Sequence, residues 1–502
     1  VNYAQELFRI SACHMTEETS STSANTPCTL QSFAAEAKDQ IKLGLPVCIG
    51  YLCNRYIATV SIVLVGHRGA KELAAVGLAT SLANVTGYSI LTGVAGSLQT
   101  ITGQAFGARN FTEVSLSLQR CALLCTFIVL LISILWLTAS HWLRFLGQDE
   151  EVGALAATYL AILLPGVCCY MVTQCLQNWL SAQRVTSPIG TGSAIQAVCY
   201  LPFCWLLVYP CGFGFAGAAI ATSMGNVFLM SWIVIKARRY VRTQLRDSWQ
   251  GLSKQAFSQW CSFLRVAIPN FLMISEWWAS EITVLLAGTL PNPHICLSTL
   301  SLMATTDSIG FMPPLSISVA ANTRVSNELG AGRHRSAAHA ARVSCILGLI
   351  VVFICSMLLL SGRHLWARLF TSDQQVLEHV MPVLSVASLY VVLDGMCVVS
   401  SGILKGCRRQ AVLAPIVIAS YYLVGLPLSW FLAWPANLGT IGLAWGSTAG
   451  TGTHCLCFAA LVLSTRWPQQ AERVQALVQV KQGSNAASQC LTEDKEDAIG
   501  GA

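Results

Sequence analysis

The chain has 502 residues, 54% hydrophobic and only 11% charged, with a net charge of +7 and a mean hydropathy of +0.58. A soluble chain of this size would carry roughly 25% charged residues. The composition therefore excludes a soluble globular domain and makes the basic excess a matter of membrane topology rather than nucleic-acid binding. Many of the 21 cysteines lie inside apolar stretches (Cys121, Cys125, Cys168, Cys169, Cys355, Cys455, Cys457), where a thiol acts as a small hydrophobe. No CxxC pair or Cys/His cluster suggests a metal or a disulfide framework.

Residues 1–42 read as a cytoplasmic N-terminal tail, disordered over 1–35. Met15, followed by TEETSSTSANT, reads as a start with residues 1–14 upstream of it. Twelve apolar stretches follow, each long enough for the roughly 20 residues a spanning helix needs. They run over 43–65, 73–98, 117–140, 152–173, 188–209, 213–236, 262–288, 296–323, 338–361, 380–403, 412–433 and 439–464. The expected fold is an all-α integral membrane protein of two six-helix lobes, 43–236 and 262–464. Residues 237–261 form a basic linker between them, with Arg238, Arg239, Arg242, Arg246 and Lys254 beside Trp249, Leu252, Phe257 and Trp260. Residues 465–502 read as a second, disordered cytoplasmic tail holding the cluster TEDKED. An even number of spans puts both termini on one side. Of the 30 Lys and Arg, only Arg68, Lys71, Arg144, Arg363 and Arg368 fall in loops on the other side. The positive-inside rule then places the termini in the cytoplasm.

The two lobes repeat each other. Gly107-Ala108-Arg109-Asn110 matches Gly330-Ala331-Gly332-Arg333, and Leu180-Ser181-Ala182-Gln183 matches Leu404-Lys405-Gly406-Cys407. Pro202 matches Pro427, and Gly217-Ala218-Ala219 matches Gly442-Leu443-Ala444. The offset stays at 223 to 225 residues throughout, as duplication requires. A six-span unit begins and ends on one side, so the copies insert the same way up. In transporters built so, the substrate site lies near the interface of the halves and access alternates.

Ionisable residues inside spans mark function by default. Four acids qualify: Glu276, Glu281, Asp307 and Asp394, all in the second half; the first half offers one mid-span charge, Arg55. Glu276 and Glu281 are five residues apart, about 140° around a helix, so they cannot share one narrow stripe. Asp307 can also be read as a helix cap ahead of Pro313-Pro314. Desolvation disfavours the charged form of a carboxylate, so a buried acid can exchange a proton for a cation that neutralises the same charge. Trp277 and Trp278 beside the acids suit an organic cation through cation–π contact, and Tyr421 and Tyr422 are similar cleft candidates. His454 reads as a core residue. Pro202, Pro313, Pro314 and Pro427 are the expected helix-bending positions, tolerated where neighbours satisfy freed carbonyls.

Several stretches resemble one family. They are VGHRGAKELAAVGLATSLANVTGYS (65–89), GQAFGARN (103–110), FLRVAIPNFLMISEWWASEI (263–282), SVAANTRVSNELGAG (318–332), SGILKGCRRQ (401–410) and YYLVGLPLSW (421–430). Together they make the chain similar to the multidrug and toxic compound extrusion transporters of the eukaryotic, plant-like branch. The resemblance implies two lobes around a V-shaped cleft and antiport of organic cations, drugs or secondary metabolites against protons, or sodium in some members. It assigns Glu276 and Glu281 to the paired acids of the seventh helix and Asp394 to the acid of the tenth. Asn84 falls at the asparagine of the NVTG segment. The chain departs from the family at Gln99 and Thr305, where many or animal members carry an acid, and at Arg55. Ser61 replaces the first-helix acid of bacterial members, which directs coupling to the second lobe.

The expected function is a proton-coupled exporter and not an enzyme, with no cofactor beyond the proton as coupling ion. Its expected partners are a small molecule, foremost an organic cation, and the lipid bilayer, with no nucleic acid and a monomeric state. Plasma and vacuolar or other organellar membranes both fit. The alternative readings are export of anionic or glycosylated metabolites or organic acids, or a lipid-type flippase. A membrane enzyme would need a metal cluster or a nucleophile–base pair in the spans.

Overall fold

The computed structural model describes residues 30–480 apart from 68, 146, 371 and 372. The expected tail over 1–29 and the TEDKED cluster lie outside the described residues. Six helical rods build the first lobe: α1 (Leu30–Gly66), α2 (Ala70–Ala83, a π turn Asn84–Tyr88, then Ser89–Gly107), α3 (Phe111–Leu137), α4 (Glu150–Ala182), α5 (Ser187–Val208) and α6 (Gly214–Thr243). Six build the second. They are α7 (Trp260–Leu272 and Ser275–Ala287), α8 (Pro293–Gly310 and Met312–Gly330), α9 (His334–Phe370), α10 (Gln374–Gly406), α11 (Gln410–Ile418, a π turn Ala419–Gly425, then Leu426–Ala433) and α12 (Gly439–Leu463). Ten of these are long and apolar enough to cross a membrane; α7, broken in its middle, and α12 complete the two sets. One apolar core fills the first lobe, around Trp136, Leu160 and Trp179. Separate cores fill the second.

The duplication is visible in the backbone. Left-handed residues recur at matched places: Arg109 (φ 56°) and Gly332 (φ 76°), Arg184 (φ 64°) and Arg408 (φ 58°), Gly212 (φ 71°) and Asn437 (φ 55°), Gly214 (φ 57°) and Gly439 (φ 55°). They fall at or beside the helix ends, where a left-handed residue turns the chain out of the helix. Three of the eight are arginines, which pay a steric cost that glycine avoids.

The lobes meet along a seam at the end of the bundle that carries the helix termini near residues 36, 107 and 330. Gln99 Nε2 donates to Val319 O and Thr323 Oγ1, both at 2.9 Å, and Asn322 Nδ2 donates to Gln99 Oε1 at 3.2 Å. Thr100 Oγ1 reaches Asn322 Oδ1 at 3.3 Å. Gln99 and Asn322 occupy the same place in the two copies, as do Thr100 and Thr323. Gln99–Thr323 and Asn322–Thr100 are therefore images of one another about a pseudo-two-fold axis. The same relation joins Gln104 Nε2 to Gly406 O (3.0 Å) and the Asn327 amide to Ala182 O (3.1 Å). It joins the glycines too: a Cβ on Gly107 would run into Asn327 O, and one on Gly330 into Gln104 O. Among the described residues the hydrogen bonds between lobes lie in this half of the bundle, and the V opens toward the opposite end.

Three boundaries differ from expectation. Residues 30–42 are the start of α1, not tail. Their polar side chains are taken up by the second lobe, with Gln40 Nε2 donating to Ala340 O (2.9 Å) and Arg324 Nε to Glu36 (2.9 Å). Residues 467–480 are helical, because Ala471 and Val474 pack into the core holding Leu329 and Cys407. Gln470 Nε2 also donates to Cys407 O at 2.6 Å. The linker begins only after Thr243 and lies against α3: Gln119 donates to Gly251 O (2.8 Å) and accepts from Ser253 N (2.9 Å).

Candidate functional site

The site grows out of the break in α7. Pro269 sits inside the first segment, where a proline removes one backbone donor and crowds the preceding turn. The helix stops at Leu272 and restarts at Ser275, which puts Glu276 in the first turn of the new segment. A half-helix start aims its unpaired N–H groups and positive dipole end at such a carboxylate. Pro269 was not among the expected bending positions; Pro313 and Pro314 open the second segment of α8 and Pro427 follows the π turn of α11. Pro202 lies within the continuous helix α5.

Glu276 is half-buried and faces the interior of the second lobe. Its Oε2 is 3.8 Å from His454 Nδ1. Asp394 from α10 and Lys405 at the end of the same helix lie within electrostatic reach of it. Asp307, in the last turn of the first α8 segment, feels Asp394, Glu276 and Arg55, and its buried Oδ1 has no hydrogen-bond partner among the described residues. Asp394 itself is buried. Three of the four acids thus converge. Glu281 is exposed, on a different face of the helix from Glu276 as their 140° separation requires; Arg55 of the first lobe feels Asp307 first and Glu281 after it.

A small pocket opens beside these groups, lined by Asp307 together with Ala279, Thr283, Tyr390, Tyr421 and Ser447 among others. The aromatic candidates divide. Tyr421 lines the cavity, while Tyr422 is turned aside and its hydroxyl donates to Ser275 O at 3.1 Å. Trp278 packs edge-on against Phe271 (ring centroids 5.7 Å apart) and Trp277 against Phe311 (6.4 Å). The Trp278 Nε1 is buried without a hydrogen-bond partner among the described residues. Asn84 is exposed and opens the π turn of α2 in the first lobe, apart from the acids. π turns recur at functional sites because they widen the helix locally.

Reading the sequence missed three things. His454 is not simple packing, since its Nδ1 faces Glu276 and the Tyr421 hydroxyl (3.3 Å); a lone histidine in an apolar span carries no signal of what it faces. Glu328 is ringed by Arg184 (3.2 Å), Arg324 (3.3 Å) and Arg333 (2.7 Å), which the motif letters of ANTRVSNELGAG only hint at. Cys121, Cys125 and Cys175 bring their sulfurs together, 4.0 Å from Cys121 to Cys125 and 3.8 Å from Cys121 to Cys175. The sequence shows no CxxC pair here, and this grouping escapes it because Cys175 reaches the other two from a different helix.

The MatE family model matches residues 46–206 and 270–431, two segments that begin 224 residues apart, as the repeat offset requires. Protein DETOXIFICATION 16 of Arabidopsis thaliana is 34% identical over 88% of this chain and 91% of the relative. Protein DETOXIFICATION 10 of the same plant is 34% identical over 88% and 91%. The crystal structure of the eukaryotic MATE transporter AtDTX14 superposes with a TM-score of 0.83 at 29% identity, covering 89% of this chain and 99% of that one. The Vibrio cholerae MATE transporter VcmN in its bent form shares the fold at a TM-score of 0.76 and 19% identity, covering 89% and 99%. Fold and site together define an integral, multi-pass α-helical transporter of small molecules, not an enzyme. The chain belongs to the MATE transporter family, on its plant-like side.

Proposed function

We propose that the protein is a proton-coupled antiporter that expels organic cations, drugs or cationic secondary metabolites by alternating access between its lobes. The observation that carries this reading is the convergence of Glu276, Asp394 and Asp307 beside an aromatic-walled cavity in one lobe. Negative charge there attracts a cation, and a proton that neutralises the same carboxylate releases it. One unit of pH gradient supplies about 1.4 kcal/mol per proton, and 100 mV adds about 2.3 kcal/mol per net charge moved.

The cycle follows. With the termini on the cytoplasmic side, the closed seam makes this conformation face away from the cytoplasm. A proton arriving from that side loads Glu276 and the cation leaves. The seam then parts while the opposite ends close, and the proton is lost to the cytoplasm as the next cation enters. The proton is the coupling ion and no cofactor takes part. The protein works as a monomer in the plasma membrane or a vacuolar or other organellar membrane.

The test is uptake of ethidium into proteoliposomes under an imposed pH gradient, for wild type and Glu276→Gln. Gradient-driven uptake lost in the variant is the expected result. Equal uptake in both would move the proton to another group, and no uptake by the folded wild type would turn the search to anionic or glycosylated substrates.

A further inference from the structure

His454 stands on α12 behind the acids, its side chain only 3% exposed. Its ring is fixed from two sides, edge-on to Phe458 (centroids 4.1 Å apart) and to Tyr421 (5.6 Å). Nε2 is buried without a hydrogen-bond partner among the described residues. Nδ1 looks toward two oxygens, Tyr421 Oη at 3.3 Å and Glu276 Oε2 at 3.8 Å. A neutral imidazole with its proton on Nε2 offers a single lone pair at Nδ1. Two groups can compete for it: the Tyr421 hydroxyl always, and Glu276 only while it carries a proton.

The geometry points to His454 as a positioning residue that passes the protonation state of Glu276 to Tyr421 in the cavity wall, a role that rests on the proton-coupled reading above. When Glu276 is ionised its oxygens can only accept, and Nδ1 takes the Tyr421 hydroxyl. When Glu276 is protonated it donates to Nδ1 and displaces that hydroxyl, which turns toward the cavity. Tyr421 Oη keeps the donor Thr451 Oγ1 at 3.3 Å in either case. The proton stays on Glu276 throughout, so no bond is formed or broken beyond hydrogen bonds. Tyr421 belongs to the π turn Ala419–Gly425, whose wider coil leaves room for a ring to shift. The substrate cavity thereby senses a proton bound outside its lining.

Other titratable groups face this cluster. Tyr390, Asp394, Cys397 and Lys405 come from α10, Asp307 from α8, and Cys455 from α12 itself, next to Cys397. Lys405 acts on Glu276 and His454 alike. A second cation beside it is disfavoured, which suits a histidine that works as a neutral acceptor.

The experiment uses full-length protein in liposomes with ¹⁵N-labelled histidine, titrated from about pH 5 to pH 9. His454→Phe assigns the resonance, and ethidium uptake is measured on the same samples. The expected result is a wild-type Nδ1 signal that shifts with pH while remaining that of a neutral ring, and that stays fixed in Glu276→Gln. His454→Phe and Tyr421→Phe should both lose the pH dependence of the ethidium KM. His454→Gln, whose amide oxygen can accept, should recover part of it. If His454→Phe does not fold, Tyr421→Phe carries the same reading without touching the histidine. A wild-type Nδ1 signal that ignores pH, or Tyr421→Phe with the wild-type pH profile, overturns the role of His454. A Glu276→Gln protein with wild-type uptake and pH response overturns the underlying assignment of the proton instead.

Discussion

Glu328 shows how a single side chain can hold the closed end together. It is almost fully buried and faces Arg184, Arg324 and Arg333 from three points of the chain, while Arg324 also reaches Glu36 of the first lobe. Outside the spans, burial pulls Arg184 below its ordinary value, a cost that its carboxylate neighbours offset. Removing Glu328 takes the carboxylate from the partly exposed Arg184 and Arg333 and leaves Arg324 with Glu36, and loss of the buried partner of an ion pair is destabilising. Glu328→Ala should therefore lower the thermal unfolding temperature of the detergent-purified protein markedly. Glu328→Gln should fall in between, since its amide can still accept from an arginine. Equal melting of wild type and Glu328→Ala would show that the arginines find water instead. The intramembrane acids were legible because nothing but function or pairing keeps a carboxylate in an apolar span. Their partners were not: neither the Arg324–Glu36 contact, 288 positions apart, nor the Glu276–His454 contact follows any local spacing.

At the scale of elements, the broken rods separate what pattern reading can and cannot find. The uninterrupted helices were plain from length and hydropathy, and the number of rods in each lobe follows from them. The interruption of α7 and the π turns of α2 and α11 were not, because hydropathy is blind to a helix that changes its winding without changing its composition; the helical segment 467–480 was not, because its polar composition gives hydropathy little to find. Gln99 belongs to this scale as well. Where many relatives carry an acid, its amide here donates twice into α8, which no carboxylate can do. Gln99→Glu should loosen the seam by leaving Val319 O and Thr323 without their donor and burying a charge, at a cost of about 1–3 kcal/mol. Gly107→Val should act in the same direction through overpacking, about 1–3 kcal/mol, since its Cβ has no room before Asn327 O. Hydrogen–deuterium exchange over residues 99–107 and 319–330 reads both. Faster exchange confined to these two segments is expected; unchanged exchange would mean that the seam does not depend on either residue.

The whole molecule is two copies of one unit, each with its own set of left-handed turns, and the first-lobe core also takes in Phe263, Val266 and Ala267 of α7. The linker that joins them is hydrogen-bonded to Ser115 and Gln119 of α3. A chain cut within residues 246–257 should therefore assemble from its two halves when they are co-expressed, and co-purify through a tag on either one. Failure of the halves to associate, with each one folded, would show that the covalent link supplies the effective concentration the seam needs.

Gln99 against Asn322, Gly107 against Asn327 and Gly330 against Gln104 describe a surface that recognises its own duplicate. Such a face is isologous, the kind by which two identical subunits form a closed pair. A half-length ancestor could dimerise through it with no further invention. In that dimer every substitution would strike twice, so an acid placed in one cavity would appear in both. Joining the copies in one chain releases that constraint, and the gathering of Glu276, Asp307 and Asp394 in a single lobe is an arrangement that a pair of identical subunits could not hold.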